Sequence, residues 1–316
     1  MLFCTGEYRV IGGMGLLLLA LLVVSLPAEA NRKIALTYDD APRVDGAVFT
    51  GTVRAEKLIA ALARVEAGPV AFFVTTNGLE RSAANQQRIA RYAEAGHLIA
   101  NHTHTHQWAH KTQAEDFLTD VDRAEQLLAG FDNRRPWFRF PYLDEGRRSA
   151  QIEALRNGLA KRGLQNGYVT VDNYDWHIEQ QLQRAVRSGV AVDYDKLGQL
   201  YVQMMLYSAE FYDAIAVQQL GYSPVHVLLL HENDLAALYA DKLVLALRAT
   251  GWEVVSPDAA YDDPLPQPKS RHLSQGRVFA LADDAGRHRS TMWSWTIDEA
   301  MIDVWLERSG VFGGEE

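Results

Sequence analysis

Seven short apolar runs recur along the chain, each rich in β-branched or aromatic residues: 33–38 (KIALTY), 69–74 (PVAFFV), 97–100, 137–140, 168–171 (YVTV), 225–230 (VHVLLL) and 252–255 (WEVV). Runs of this kind predict buried strands. Between them lie stretches of helical period at 52–67, 82–95, 114–129 and 152–162, the third placing Phe117, Val121, Ala124 and Leu128 on one face. Gly68, Gly96, Gly130, Gly163 and Gly251 stand where such helices would stop ahead of the next strand. Repeated strand-helix alternation leaves one main solution, an α/β fold around a parallel sheet, open or closed into a barrel.

Two regions break the rhythm. Residues 177–225 form a mostly helical insertion, with a long helix expected over 193–220, and 256–270 (SPDAAYDDPLPQPKS) is a Pro- and Asp-rich linker. Beyond it, Thr296 with Glu299 makes a capping-box pattern ahead of a terminal helix running to about Arg308. The expected organisation is therefore a main α/β region over 31–258 carrying the 177–225 insertion, then a linker and accessory packing extension over 259–316.

The first thirty residues read differently. An apolar stretch from Val10 to Leu26 follows Arg9 and ends in Ala28-Glu29-Ala30, a small-x-small cleavage pattern. This predicts a signal peptide over 1–30 and an exported protein, periplasmic or secreted. The run is shorter than the ~20 apolar residues of a comfortable span; the alternative is a membrane anchor formed by residues 10–26. Cleavage would remove Cys4, the only cysteine, leaving no disulfide and no thiol nucleophile. The net charge of −9 argues against a nucleic-acid partner, and beyond the leader no membrane partner is expected.

In parallel α/β folds, functional groups collect just past the C-terminal ends of strands. Here Asp39 and Asp40 follow the first run and His102 and His106 the third. Arg139 and Tyr142 flank the end of the fourth, Asp172, Asp175 and Trp176 follow the fifth, and His231 follows the sixth. Two imidazoles four residues apart suit a shared ion, and a carboxylate, Asp39 or Asp40, would complete three ligands while leaving a position open, the layout of a catalytic metal site. Zn²⁺ suits a His, His, Asp set best, with Co²⁺, Ni²⁺ or Mn²⁺ compatible by ligand type. Taken singly, a histidine pair of this spacing is more often a solvated turn and paired acids can merely cap a helix; it is their meeting at matching strand ends that points to a metal. The neighbouring His104 and His110 gain no ligand role from this argument.

Five ordered stretches, TYDDAP (37–42), HTHTH (102–106), RFPY (139–142), DNYDW (172–176) and LLLH (228–231), resemble the motifs of the metal-dependent polysaccharide deacetylases of carbohydrate esterase family four, the NodB-homology domain. The resemblance implies a distorted (β/α) barrel of about seven parallel strands. It also implies that Asp40, His102 and His106 bind the metal, while Asp39 is the base that takes a proton from the attacking water. Arg139 would pair with that base, a cation there favouring the charged form. The Tyr142 backbone N–H would donate to the oxyanion. His231 would be the general acid and Asp175 its charged partner, with Trp176 and Leu229 walling a small apolar pocket. One departure is Ala41, where the family's first motif ordinarily has glycine; another is the 177–225 insertion, expected to build part of the cleft.

The resemblance therefore implies a hydrolase removing N-acetyl groups from amino sugars of a glycan, and the signal-like residues 1–30 add the expectation that it is exported. Two alternatives remain: a related amide or ester hydrolase acting on a smaller acylated substrate, and a non-catalytic glycan-binding protein with a vestigial site. No Gly-x-Ser-x-Gly elbow supports serine-hydrolase chemistry, and no Gly-rich phosphate loop supports a nucleotide cofactor.

Overall fold

The computed structural model describes residues 32–269 and 275–313, so the expected signal segment lies outside the described residues. The first strand, Arg32–Ala41 (β1), is buried without interruption from Ile34 to Asp39. A strand covered on both faces reads as a continuous apolar run, which is why KIALTY shows no alternation. The strands that follow are Ala71–Val74 (β2), Leu98–Asn101 (β3), Arg134–Phe138 (β4), Gln165–Asn166 (β5), Val225–His231 (β6) and Trp252–Val255 (β7).

All pairings are parallel, in the order β5-β4-β3-β2-β1-β6, with β7 on β1. Lys33 to Ala35 pair with β6 and β7 at once, and Thr37 and Tyr38 with β6 and β2. One edge of β1 thus carries β6 throughout, while the other is shared by β7 and then β2. A bridge between Val171 and Leu228 joins the segment after β5 to β6, so the sheet curls into a distorted (β/α) barrel of seven strands.

The expected strand at 168–171 is corrected by the structure: the fifth strand is 165–166, and YVTV runs beside β6 with only that bridge. The reason lies in its side chains and its far side. The Thr170 hydroxyl accepts the Val227 N–H at 2.7 Å, a place a ladder carbonyl would take. The Val169 carbonyl accepts the Arg277 N–H at 2.6 Å, from the C-terminal extension. Gly276, at φ 83°, makes that approach feasible, since a Cβ there would lie 2.7 Å from the Val169 oxygen.

The helices are Gly51–Arg64 (α1), Asn77–Arg81 (α2), Ala83–Glu94 (α3), Ala114–Leu128 (α4), Ser149–Lys161 (α5), Asp175–Arg187 (α6), Tyr194–Leu220 (α7), Asp234–Ala249 (α8), Asp258–Tyr261 (α9), Gly276–Asp284 (α10) and Glu299–Arg308 (α11). The long helix of the insertion is α7, which packs on α8 and α10. The terminal helix appears as expected, but its cap does not. Asp298, not Thr296, caps it, accepting the Met301 N–H at 3.1 Å. Thr296 instead sits in a 3₁₀ turn whose carbonyl accepts the Tyr174 N–H. The expected linker also contains structure, because α9 buries Ala260 and Tyr261 against the barrel. Among the described residues, no helix is long and apolar enough to cross a membrane.

Candidate active site

The C-terminal edge of the sheet opens into a cleft of about 740 Å³. Asp39 and His231 face each other as register partners at the ends of β1 and β6. Immediately after Asp39, the backbone of Asp40 turns left-handed (φ 64°), a conformation Asp tolerates better than most residues. This turn carries two adjacent carboxylates to different partners. Asp39 Oδ1 accepts Arg139 Nη1 at 2.6 Å, while Asp40 Oδ1 lies 3.0 Å from His106 Nε2 and 3.6 Å from His102 Nε2.

His102 follows β3, and its ring is oriented from behind: Nδ1 pairs with the Arg139 carbonyl at 2.8 Å, leaving Nε2 toward Asp40. Such outer hydrogen bonds fix the tautomer of a ligating histidine. His106 is set by its own turn, with its N–H donating to the Thr103 hydroxyl at 2.9 Å. Ligand atoms of Asp40, His102 and His106 all lie within 4.8 Å of one another, so these three residues could hold a metal ion. Their chemistry fits one as well. Burial pushes the His102 imidazole down to about 4, despite Asp39 and Asp40 nearby, which keeps the ring neutral as a ligand must be. Burial works to raise the Asp40 carboxyl, but His106, with His231 and Arg43, outweighs it and holds Asp40 well below its usual range.

Arg139 is fully buried and spends its donors on four acceptors: Asp39, the Thr37 hydroxyl at 2.8 Å, the Gly167 carbonyl at 2.7 Å and the Tyr261 hydroxyl at 3.0 Å. Across the cleft, His231 Nδ1 lies 2.6 Å from Asp175 Oδ1, and the other oxygen of Asp175 accepts the His231 N–H and the Asn233 side-chain amide. Burial alone would lower His231, yet Asp175, and Asp40 beyond it, raise it to about 9. Tyr142, Trp176 and Leu229 line the cleft.

Each residue singled out from sequence is thus at this edge, Arg139 and Asp175 just behind the lining and the others on it. His104 turns away, its ring paired with Thr76 Oγ1, and His110 pairs with Asp144. The expectation for the insertion is corrected: none of the described residues of 177–225 lines the cleft, because α7 is occupied in packing on α8 and α10. Sequence reasoning gave no site role to Arg43, whose Nη1 donates to Asp40 Oδ2 at 2.7 Å, to Trp108, or to Glu299 of the extension. Nor did it assign a role to Asp172, a lining residue that burial pushes up to about 7. Arg43 lies three residues past the acids, which was the one local signal available.

A curled parallel sheet gathering acids, imidazoles and an arginine at the C-terminal ends of its strands defines the class, a (β/α)-barrel hydrolase. The family model described as Polysaccharide deacetylase matches residues 28–163 of this chain. Among solved structures, it is similar to the polysaccharide deacetylase Bc1974 from Bacillus cereus, with 18% identity over 74% of this chain and 95% of that one and a TM-score of 0.54. It is similar also to the chitin deacetylase of the fungal pathogen Colletotrichum lindemuthianum, with 18% identity over 78% and 93% and a TM-score of 0.50. At that identity the likeness is one of fold. No curated protein gives a significant match.

Proposed function

We propose that this protein is an exported, metal-dependent deacetylase that hydrolyses N-acetyl groups on amino sugars of a glycan. The observation that carries the reading is the placing of Asp39 and His231 as register partners on one cleft, beside the Asp40, His102, His106 set. A divalent ion held by those three, Zn²⁺ by donor type, would supply Lewis acidity to the attacking water and to the acyl oxygen.

The chain's own groups do the rest. Arg139 occupies Asp39 Oδ1, which leaves Oδ2, 3.8 Å from His102 Nε2, to take the proton of the incoming water. The Tyr142 amide donates to the oxygen that becomes negative as the carbonyl turns tetrahedral. His231, protonated at neutral pH and anchored through Nδ1 by Asp175, presents its other nitrogen to the departing amine. Trp176 and Leu229 close around the methyl group. A glycan substrate is supported by the family match and by the substrates named for the similar proteins, a polysaccharide and chitin. Export is supported by the signal-like sequence of residues 1–30.

Acetate release from a panel of acetylated glycans, chitin oligomers and peptidoglycan included, tests the reading with the Asp39→Asn variant as control. Wild type should release acetate from at least one, and the variant should lose about 10²–10⁴-fold in kcat, the usual contribution of a general base, while retaining its metal. Undiminished turnover in the variant would overturn the assignment.

A further inference from the structure

Tyr142 and Leu143 adopt φ 58° and 51° in succession. Side chains other than glycine rarely take this left-handed conformation, and two in a row persist only where the surroundings hold them. The turn is closed by the Leu143 N–H on the Phe140 carbonyl at 3.0 Å and the Asp144 N–H on the Pro141 carbonyl at 3.1 Å, and it is tied to its neighbours through the Asp144 side chain, which is 2% exposed. One of its oxygens accepts two hydrogen bonds from His110, from the backbone N–H at 2.8 Å and from Nδ1 at 2.8 Å. Its other oxygen accepts the Gly146 N–H at 3.2 Å.

His110 is itself fastened. It belongs to a 3₁₀ turn, Ala109–Lys111, at which the Gln151 side-chain amide donates to the carbonyls of Ala109, at 2.7 Å, and Thr112, at 2.9 Å. Two residues earlier, Trp108 lies flat on the Tyr142 ring, with centroids 3.8 Å apart and planes 3° from parallel. The short stretch 108–110 therefore grips the strained loop twice, at the ring of Tyr142 and at the carboxylate that ends the left-handed pair.

We propose that His110 and Asp144 form a clasp that positions the Tyr142 amide for oxyanion stabilisation, which makes His110 a positioning residue of the reaction. The inference rests on the reading of Tyr142 as the oxyanion donor. Such a donor must meet the oxygen where charge develops, and a displacement of about 1 Å can cost about a hundredfold in rate. An interaction made only in the transition state changes kcat and leaves substrate binding alone.

The test compares His110→Ala with His110→Asn. Alanine removes the Nδ1 bond and leaves the backbone bond to Asp144, whereas the asparagine amide returns an N–H close to the position of Nδ1. In acetate release, His110→Ala should lose about ten- to a hundredfold in kcat, with KM within about twofold and metal content unchanged, and His110→Asn should recover most of the loss. Amide hydrogen exchange over residues 141–146 should quicken in the alanine variant and return to wild-type values in the asparagine one. If the alanine variant does not fold, Asp144→Asn, which keeps the volume and weakens the acceptor, should show the same split between kcat and KM. Wild-type kcat in the variants, or a loss that asparagine does not relieve, overturns the clasp. Should the wild-type protein release no acetate, the functional reading falls, and exchange decides the clasp separately: faster exchange supports it and unchanged exchange overturns it.

Discussion

His231 and Asp175 show how much a single contact sets. Their 2.6 Å pairing more than offsets the burial that would strip the imidazole of its proton, so His231 stays charged up to about 9. The sign follows directly. The acid works while protonated, so the alkaline limb of the kcat profile should fall as pH rises through about 9, and Asp175→Asn should move that limb to lower pH. The same shift links to stability: the contribution of the pair is complete below the unfolded value near 6.5 and is lost as pH rises through about 9. A kcat profile for both proteins checks this, and an alkaline limb unmoved by Asp175→Asn would count against the pair. Which residues could be read from sequence follows the same logic. His102 and His106 announce themselves because their spacing alone can bring two rings to one ion. Arg43 does not, because nothing in an arginine past a proline says that its guanidinium will fold back onto Asp40.

Among the elements, the C-terminal extension is bound to the site more closely than an accessory segment would be. The Tyr261 hydroxyl of α9 accepts from Arg139 and donates to the Tyr168 carbonyl at 2.9 Å, all of it buried. Tyr261→Phe strands both partners and should cost about 1–3 kcal/mol, measured by denaturant unfolding. A change well under that range would show that Arg139 finds another acceptor. This link was illegible in the sequence because Arg139 and Tyr261 stand 122 positions apart, inside a stretch whose prolines and aspartates read as linker. The strand expected at YVTV failed for a related reason. Its composition is right for a strand, but a threonine hydroxyl and an incoming backbone take up the positions where ladder partners would sit. The long α7, by contrast, was legible from its period, though not the surface it would cover.

For the whole molecule, the strand-helix alternation was enough to give an α/β barrel, because parallel strands joined by helices have few ways to bury both faces of a sheet. It was enough also to say which edge would carry the chemistry, since loops past strand C-termini converge whatever their sequences. It could not give the shape of the cleft, which depends on Trp108, Tyr142 and Glu299 arriving from three separate segments. The proposal that residues 1–30 are a cleaved signal makes its own prediction at this scale: protein recovered outside the cytoplasm should begin at Asn31, and mass spectrometry of its N-terminus showing Met1 retained would contradict it. The most direct measurement of the central proposal is acetate release by chelator-stripped protein before and after one equivalent of Zn²⁺. The account predicts no turnover in the stripped protein and recovery on adding the metal; full activity in thoroughly metal-free protein would contradict it.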